Sequence, residues 1–328
     1  MRTGLWSLAL RRLLFAIPLI FCVIIIGFIL IHVAPGNPIN MLVGEYAADP
    51  QYAAEVTKRF GLDRPLYEQL FVYLGRVISG DLGDSYFFRE PVLQLILERA
   101  PATLILMGAQ FLIAIPLGIF LGVKSSEKKG SLIDKLIVSG TSVLYSLPVF
   151  WVGMLLLILF SLYLGWFPAG GMSALTTGAS VLDSALDLVY HLVLPVLALS
   201  LTQLTLIARL TRSGMLETLA QDYILTARSK GLDERTVFYK HALRNALLPI
   251  ITVIGMEAGF LLAGAVMTET VFSWPGLGRL MFDSIARRDY PMLMGLFIVI
   301  SISLIVVNLV TDIAYSIADP RIRYGKGS

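Results

Sequence analysis

A single cysteine, Cys22, and three histidines stand in a chain of 328 residues, and charged residues make up only 15% of it. One cysteine excludes a disulfide scaffold, and its apolar neighbours make it a packing residue. His32, His191 and His241 offer no pair at the i,i+4 spacing that holds a metal on one helix face, so no structural metal is expected. Charge falls well below the ~25% of ordinary soluble domains. A soluble globule of this composition would expose large apolar patches. Disorder is excluded as well, because 56% of residues are hydrophobic and the net charge is only +3. No Gly-x4-Gly-Lys-Ser/Thr loop is present to cradle phosphates, since Gly325-Lys326-Gly327-Ser328 lacks the spacing. Nor does any His, Ser and Asp constellation gather near one predicted bilayer face, as a membrane enzyme requires.

Long apolar runs are what the chain has instead, with a mean hydropathy of +0.77. About 20 apolar residues cross ~30 Å of hydrocarbon as a helix. Six runs qualify: Leu13–Val33, Leu104–Val123, Ile137–Leu164, Leu188–Ala208, Leu247–Met267 and Met292–Val310. The first is longer than the ~7–15 residues of a signal-peptide core and predicts a retained span. Pro116, Pro148 and Pro195 predict kinks. Of the 26 Lys and Arg residues, 17 fall before span one, between spans two and three, between spans four and five, and after span six. That asymmetry places both termini in the cytoplasm. The expected fold is an all-α polytopic membrane protein.

Two connections stand out. External residues 35–100 are far longer than a usual loop and predict a small subdomain, with short amphipathic helices over Gln51–Phe60 and Tyr67–Ile78. The other is the basic cytoplasmic loop at about 213–245. Leu216, Leu219, Tyr223 and Ala227 share helical spacing, Gly231 predicts a left-handed cap, and Asp233 predicts the start of a second helix. Two short helices joined at a glycine make a knob that fits a partner's groove. A helical hairpin lying on anionic lipid is the other reading of the same residues.

The stretch Asp222-Tyr223-Ile224-Leu225-Thr226-Ala227-Arg228-Ser229-Lys230-Gly231, followed by Lys240-His241-Ala242-Leu243-Arg244-Asn245-Ala246-Leu247-Leu248-Pro249, resembles the EAA loop of ABC importer permeases, in its oligopeptide, dipeptide and nickel branch. Leu225-Thr226-Ala227 stands where the broader pattern has Glu-Ala-Ala. Pro35-Gly36-Asn37-Pro38, Gly61-Leu62-Asp63-Arg64-Pro65, Gly80-Asp81-Leu82-Gly83-Asp84-Ser85, Phe272-Ser273-Trp274-Pro275-Gly276-Leu277-Gly278, Arg288-Asp289-Tyr290-Pro291 and Asp319-Pro320-Arg321 extend the resemblance almost end to end.

The resemblance implies a type I-like permease fold in a bacterial inner membrane: a cytoplasmic N-terminus and first span at 1–34, an external subdomain at 35–100, a five-helix core at 101–318 and a cytoplasmic tail at 319–328. It implies a second homologous permease, two ATP-binding subunits that use ATP and Mg, and an external substrate-binding protein. This chain would bind no cofactor and no nucleic acid, and would catalyse nothing itself. Tyr223, Ala227, Arg228, Lys230, Gly231 and His241 are then the candidate ATPase-coupling residues. The long external loop, with Asp81 and Tyr86, and the turn at Trp274, Pro275 and Gly276, an exposed aromatic over a Pro-Gly corner, are candidate gate or binding-protein contacts. The turn also reads as an interfacial anchor.

Within the spans, Gly255, Gly259 and Ala263 recur every four residues as a stripe for close helix packing. Glu257 lies on the opposite side, where it faces either the translocation path or a hydrogen-bonding neighbour. Gln110 and Met256 are further path candidates. Short peptides are the expected cargo, with nickel, a metal chelate, glutathione or a small glycan as rivals. A proton-coupled secondary transporter is the competing class, resting on Glu257 alone.

Overall fold

The computed structural model describes residues 2–33, 63–174, 180–259 and 265–318. The predicted helix at Gln51–Phe60, Ala263 and the tail at 319–328 lie outside them. Among the described residues the regular structure is helical, apart from an isolated bridge between Asp84 and Pro91. In chain order the helices are α1 (Arg2–Val33), α2 (Leu66–Ile78), α3 (Val92–Glu127), α4 (Leu132–Ser146) and α5 (Val149–Leu156, prolonged by a π-helical turn at Leu157–Tyr163). Then come α6 (Val181–Leu219), α7 (Asp222–Ser229) and α8, built from Glu234–Thr236, a π-helical Val237–Leu243 and Arg244–Ala246. The last four are α9 (Leu248–Gly259), α10 (Val266–Val271), α11 (Leu277–Ala286) and α12 (Tyr290–Ala318).

Among the described residues three helices, α3, α6 and α12, are long and apolar enough to cross a membrane. A fourth is counted if α4 and α5 form one span, and shorter apolar stretches lie at Ile17–Ile29 and Leu248–Ala258. At 1.5 Å per residue the 39 residues of α6 reach about 58 Å, roughly twice the hydrocarbon thickness. Its N-terminus starts on a capping box in which Ser180 and Asp183 satisfy each other's backbone N–H groups.

The expected third span is not one helix. Its two halves meet at 99° around Leu147 and Pro148. Leu147 is extended, with ψ of 132°, the conformation favoured for a residue preceding proline. Pro148 then starts α5, and its carbonyl accepts from the Trp151 and Val152 N–H groups. Pro116 and Pro195, by contrast, sit inside continuous helices.

The chain packs as two units. Among the described residues one comprises 2–33, 63–103, 265–266 and 275–306. Its core joins Ile24 of α1, Leu82, Val92, Leu95 and Ile96, Leu277 and Leu280 of α11, and Met292, Met294, Leu296 and Ile298 of α12. Gly295 lets α12 close on α3, for a Cβ there would lie 2.3 Å from Val92 Cγ1.

Among the described residues the other unit comprises 104–174, 180–259, 267–274 and 307–318. One seam within it is the contact of α3 with α6. Ala114, Gly118 and Gly122 follow one another every four residues on the α3 side. A Cβ on Gly118 would lie 2.7 Å from Ile207 Cβ, and one on Gly122 would lie 2.4 Å from Thr211 Cβ and 2.6 Å from the Ala208 carbonyl oxygen. Only glycine permits this approach.

Candidate functional site

The basic loop folds as a knob on the C-terminal end of α6. Helix α6 runs on to Leu219 and breaks at Ala220, so Leu216, Leu219, Tyr223 and Ala227 do not share one helix. Gly231 ends α7 as expected: its φ is +76°, and the Leu232 N–H reaches back to the Ala227 carbonyl. Asp233 starts α8 by accepting from the Thr236 N–H at 2.9 Å. Hydrogen bonding from the Thr236 side chain, and then from its N–H, holds the Asp233 carboxyl below its ordinary value.

A closed core fixes the knob. Met215 of α6, Ile224 and Ala227 of α7, and Val237, Ala242 and Ala246 of α8 are all buried together. Gly214 admits α8, because a Cβ there would meet the Ala246 carbonyl at 3.1 Å. Ala227, expected as a coupling contact, is therefore part of the knob's interior. Arg228 is turned sideways, forking onto Glu234 at 2.9 and 3.2 Å. Tyr223, Leu225, Lys230 and Gly231 are left on the exposed surface, and His241 is half-buried. The Asn245 amide ties α8 to α7 by donating to the Tyr223 hydroxyl at 2.7 Å. Beside the knob a cavity of about 490 Å³ opens between Ser126 and Glu127 of α3, Leu219 of α6, and Arg228, Arg235 and Tyr239.

A second tie lies just above. Asp134, at the start of α4, accepts both ends of the Arg212 guanidinium, at 2.8 and 2.9 Å. It also accepts from the Ser125 hydroxyl, and from the Gly130 N–H at 2.8 Å. These donors, Arg212 first, hold its carboxyl far below the usual carboxylate range. Knob, α6, α3 and α4 are thus joined by one apolar core, one glycine seam and one bidentate ion pair.

The path candidates are scattered. Gln110 lies one turn above Ala114 on the α3 seam, is 3% exposed, and its Oε1 has no partner among the described residues. Its carbonyl accepts from the Ser200 hydroxyl of α6. Glu257 is half-buried and Met256 is 61% exposed. Gly255 packs as expected, since a Cβ there would fall 1.9 Å from Thr311 Cγ2 of α12. The side chains around Gly259 lie outside the described residues. His191 is accounted for locally, with Nδ1 at 2.9 Å from the Asp187 carbonyl oxygen.

The aromatic turn is the reverse of the expectation. Trp274 is fully buried and Gly276 is buried too. Ser273 takes a left-handed φ of +50°, and the Trp274 N–H folds back to the Glu269 carbonyl at 2.8 Å, closing α10. Phe272, on this turn, packs with Leu194 and Ala198 of α6. Asp81 is exposed and caps its own turn through the Gly83 N–H. Tyr86 is half-buried, and burial, with the Asp289 carboxylate next, pushes its hydroxyl up to about 12.

Sequence reasoning missed Asp289. Its carboxylate accepts from the Ser85 hydroxyl and from the Tyr86 and Phe87 N–H groups at 3.1 and 3.2 Å, while it starts α12. An acid directly before a long apolar helix was the available signal. Gly118 and Gly122 were missed as well, although they carry the same four-residue spacing as Gly255 and Gly259.

Comparison with known proteins agrees with this helical, membrane-crossing arrangement. Residues 114–324 match the family described as binding-protein-dependent transport system inner membrane component, and residues 5–107 match its N-terminal family. The di/tripeptide transport system permease DppB of Pseudomonas aeruginosa is 45% identical over 332 residues, which cover 97% of this chain and 99% of that protein. The dipeptide transport system permease DppB of Escherichia coli is 40% identical over 97% of this chain and 98% of its own length. The oligopeptide transport system permease AppB of Bacillus subtilis is 38% identical over 96% and 98%. Among solved structures, an inward-facing form of the MetNI methionine ABC transporter superimposes with a TM-score of 0.50 at 15% identity, covering 69% of this chain and 97% of that one. The chain belongs to the family of binding-protein-dependent transport system inner membrane components.

Proposed function

We propose that this chain is a permease subunit of an ATP-driven importer that carries short peptides across the bacterial inner membrane. Six spans, with both termini in the cytoplasm, carry the passage. ATP and Mg act on two partner ATPases, an external binding protein delivers the peptide, and a second permease completes the passage. The observation that carries this reading is the knob, whose core runs without interruption into the inner end of α6.

Its surface residues Tyr223, Leu225, Lys230 and Gly231 are the contact with an ATPase. Ala227 and Arg228 act from inside, the first as core and the second by bracing α7 against α8. When ATP closes the ATPases, the knob moves with them. Met215, Gly214 and the Asp134–Arg212 pair transmit that displacement to α6, α3 and α4. Nucleotide shifts the equilibrium only through different affinities for the two arrangements of these helices. Glu257, half-buried, is the polar group that would meet a peptide's amine, and Gln110 would do so only where the α3–α6 seam opens. The external loop with Asp81 and Tyr86 serves the binding protein, while Trp274, Pro275 and Gly276 shape the outer end from within.

The test is purification of the tagged chain with its native neighbours, followed by competition of a peptide library for the associated binding protein. Co-purified ATPases and displacement by di- or oligopeptides support the reading. Displacement by nickel, glutathione or a glycan but not by peptides would keep the machine and change the cargo.

A further inference from the structure

Helix α2 carries more apolar surface than the protein covers. Its inward side, Tyr73, Leu74 and Val77, packs on the core that also holds Ile20, Ile24 and Phe28 of α1. With about 100° between successive residues, Tyr67, Phe71 and Ile78 fall within about 40° of one another, on a stripe bordering that inward side. They are 62%, 71% and 75% exposed. Glu68, Gln69 and Arg76 lie on the remaining arc, with Val72, 45% exposed, among them. The helix is therefore amphipathic, with an apolar face wider than its packing requires.

The same core fixes where this stripe lies. Ile20, Ile24 and Phe28 sit inside the apolar run Leu13–Val33, and Ile24 is about 14 Å along the helix from its outer end. The core also takes Met292, Met294, Leu296 and Ile298 from the apolar run of α12. A helix packed on residues of two such runs is held at the edge of the hydrocarbon and does not stand clear in the external water. Beside it, α1 exposes Phe21, Ile25, Ile26 and Ile29. Both helices thus carry exposed apolar side chains beside the core they share. One acid and one base on the polar arc leave α2 with no charge excess to draw a soluble partner, whereas an aromatic and aliphatic stripe suits the lipid interface.

We propose that α2 is an amphipathic anchor lying in the external membrane interface, with Tyr67, Phe71 and Ile78 in lipid and Glu68 and Arg76 among headgroups and water. The anchor holds the external subdomain down on the bilayer beside span one. This inference depends on the membrane location of the chain and is independent of its cargo.

The test uses the full transporter in nanodiscs of phosphatidylethanolamine and phosphatidylglycerol. In a Cys22→Ser background, single cysteines from Phe71→Cys, Ile78→Cys and Glu68→Cys are labelled with an environment-sensitive fluorophore. Labels at 71 and 78 are expected to emit to the blue and to be quenched several-fold more by nitroxide-bearing lipid than by iodide. The label at 68 is expected to show the opposite order. Two sites on the stripe guard against one variant failing to assemble. Iodide quenching at 71 and 78 equal to that at 68 would place the stripe in water and overturn the proposal. Shielding from both quenchers would mean a protein covers it, and would overturn it equally.

Discussion

Arg212 holds Asp134 by both ends of its guanidinium, at 2.8 and 2.9 Å, across 78 residues of sequence. The pair is a fork-to-fork contact with little solvent on the carboxylate side, where Asp134 is 4% exposed. It joins the start of α4 to α6 at the level where the knob begins. Asp134→Ala leaves the guanidinium without its acceptor and is expected to cost about 2 kcal/mol, short of the ~3–5 for a fully buried pair because Arg212 keeps some water. A double-mutant cycle with Arg212→Ala checks this: the two changes together should cost clearly less than their sum.

Acid should reveal the same contact. The Asp134 carboxyl is held far below the usual range, so its contribution is complete above the unfolded value of ~3.9 and declines as pH falls towards the folded one. Asp134→Asn removes a group that binds a proton more readily unfolded than folded. Its melting temperature is expected to lie below that of the wild type at neutral pH, with the gap narrowing below about pH 4. An unchanged gap across that range would assign the stabilisation to something other than this ionisation.

The seam between α3 and α6 has no room for a methyl group. Gly122→Ala would place a Cβ 2.4 Å from Thr211 and 2.6 Å from a backbone carbonyl, whereas Gly108 has nothing within 4 Å. The first change is expected to lower stability by about 1–3 kcal/mol through overpacking. Gly108→Ala should leave it unchanged or raised, as alanine does in an open helix. Thermal unfolding of the two variants in detergent makes the comparison.

What could be read in advance followed the range of the interaction that decides each feature. Gly231 and Asp233 act within a turn of their own helices, and both caps are where the spacing places them. The break at Pro148 is local too, but it exceeds the expected kink because Leu147 gives up helical conformation altogether. Asp134 and Arg212 carry no mutual signal, since only the packing of α4 on α6 brings them together. Ala227 and Trp274 were assigned outward roles because sequence marks a residue as notable without saying which way it points. Both are buried.

The clamp at Asp289 joins segments more than 200 residues apart. Its carboxylate faces a hydroxyl and two backbone N–H donors, so Asp289→Asn turns an amide NH2 towards groups that also donate. A loss of about 2–3 kcal/mol in local stability is expected, the scale for hydrogen bonds to a buried charged group. Limited trypsin digestion reads it out. Cleavage after the exposed Arg89 should accelerate in the variant while cleavage in the cytoplasmic loop stays at the wild-type rate.

Gly231 isolates coupling from folding. Any side chain there is strained by the left-handed backbone, by about 1–2 kcal/mol, although no neighbour obstructs it. Gly231→Ile is expected to leave the membrane helices folded and ATP hydrolysis running while transport falls several-fold. Gly231→Asn, which tolerates that conformation, should recover most of the loss. Normal transport by the isoleucine variant would remove this corner of the knob from the coupling contact.

The central claim is that this chain works in an ATP-driven peptide importer, and uptake by the reconstituted complex tests it most directly. Proteoliposomes holding the permeases and ATPases, supplied with binding protein and labelled dipeptide, should accumulate peptide only with ATP on the ATPase side, and a protonophore should leave the rate unchanged. Uptake that proceeds without ATP and collapses with the proton gradient would contradict it.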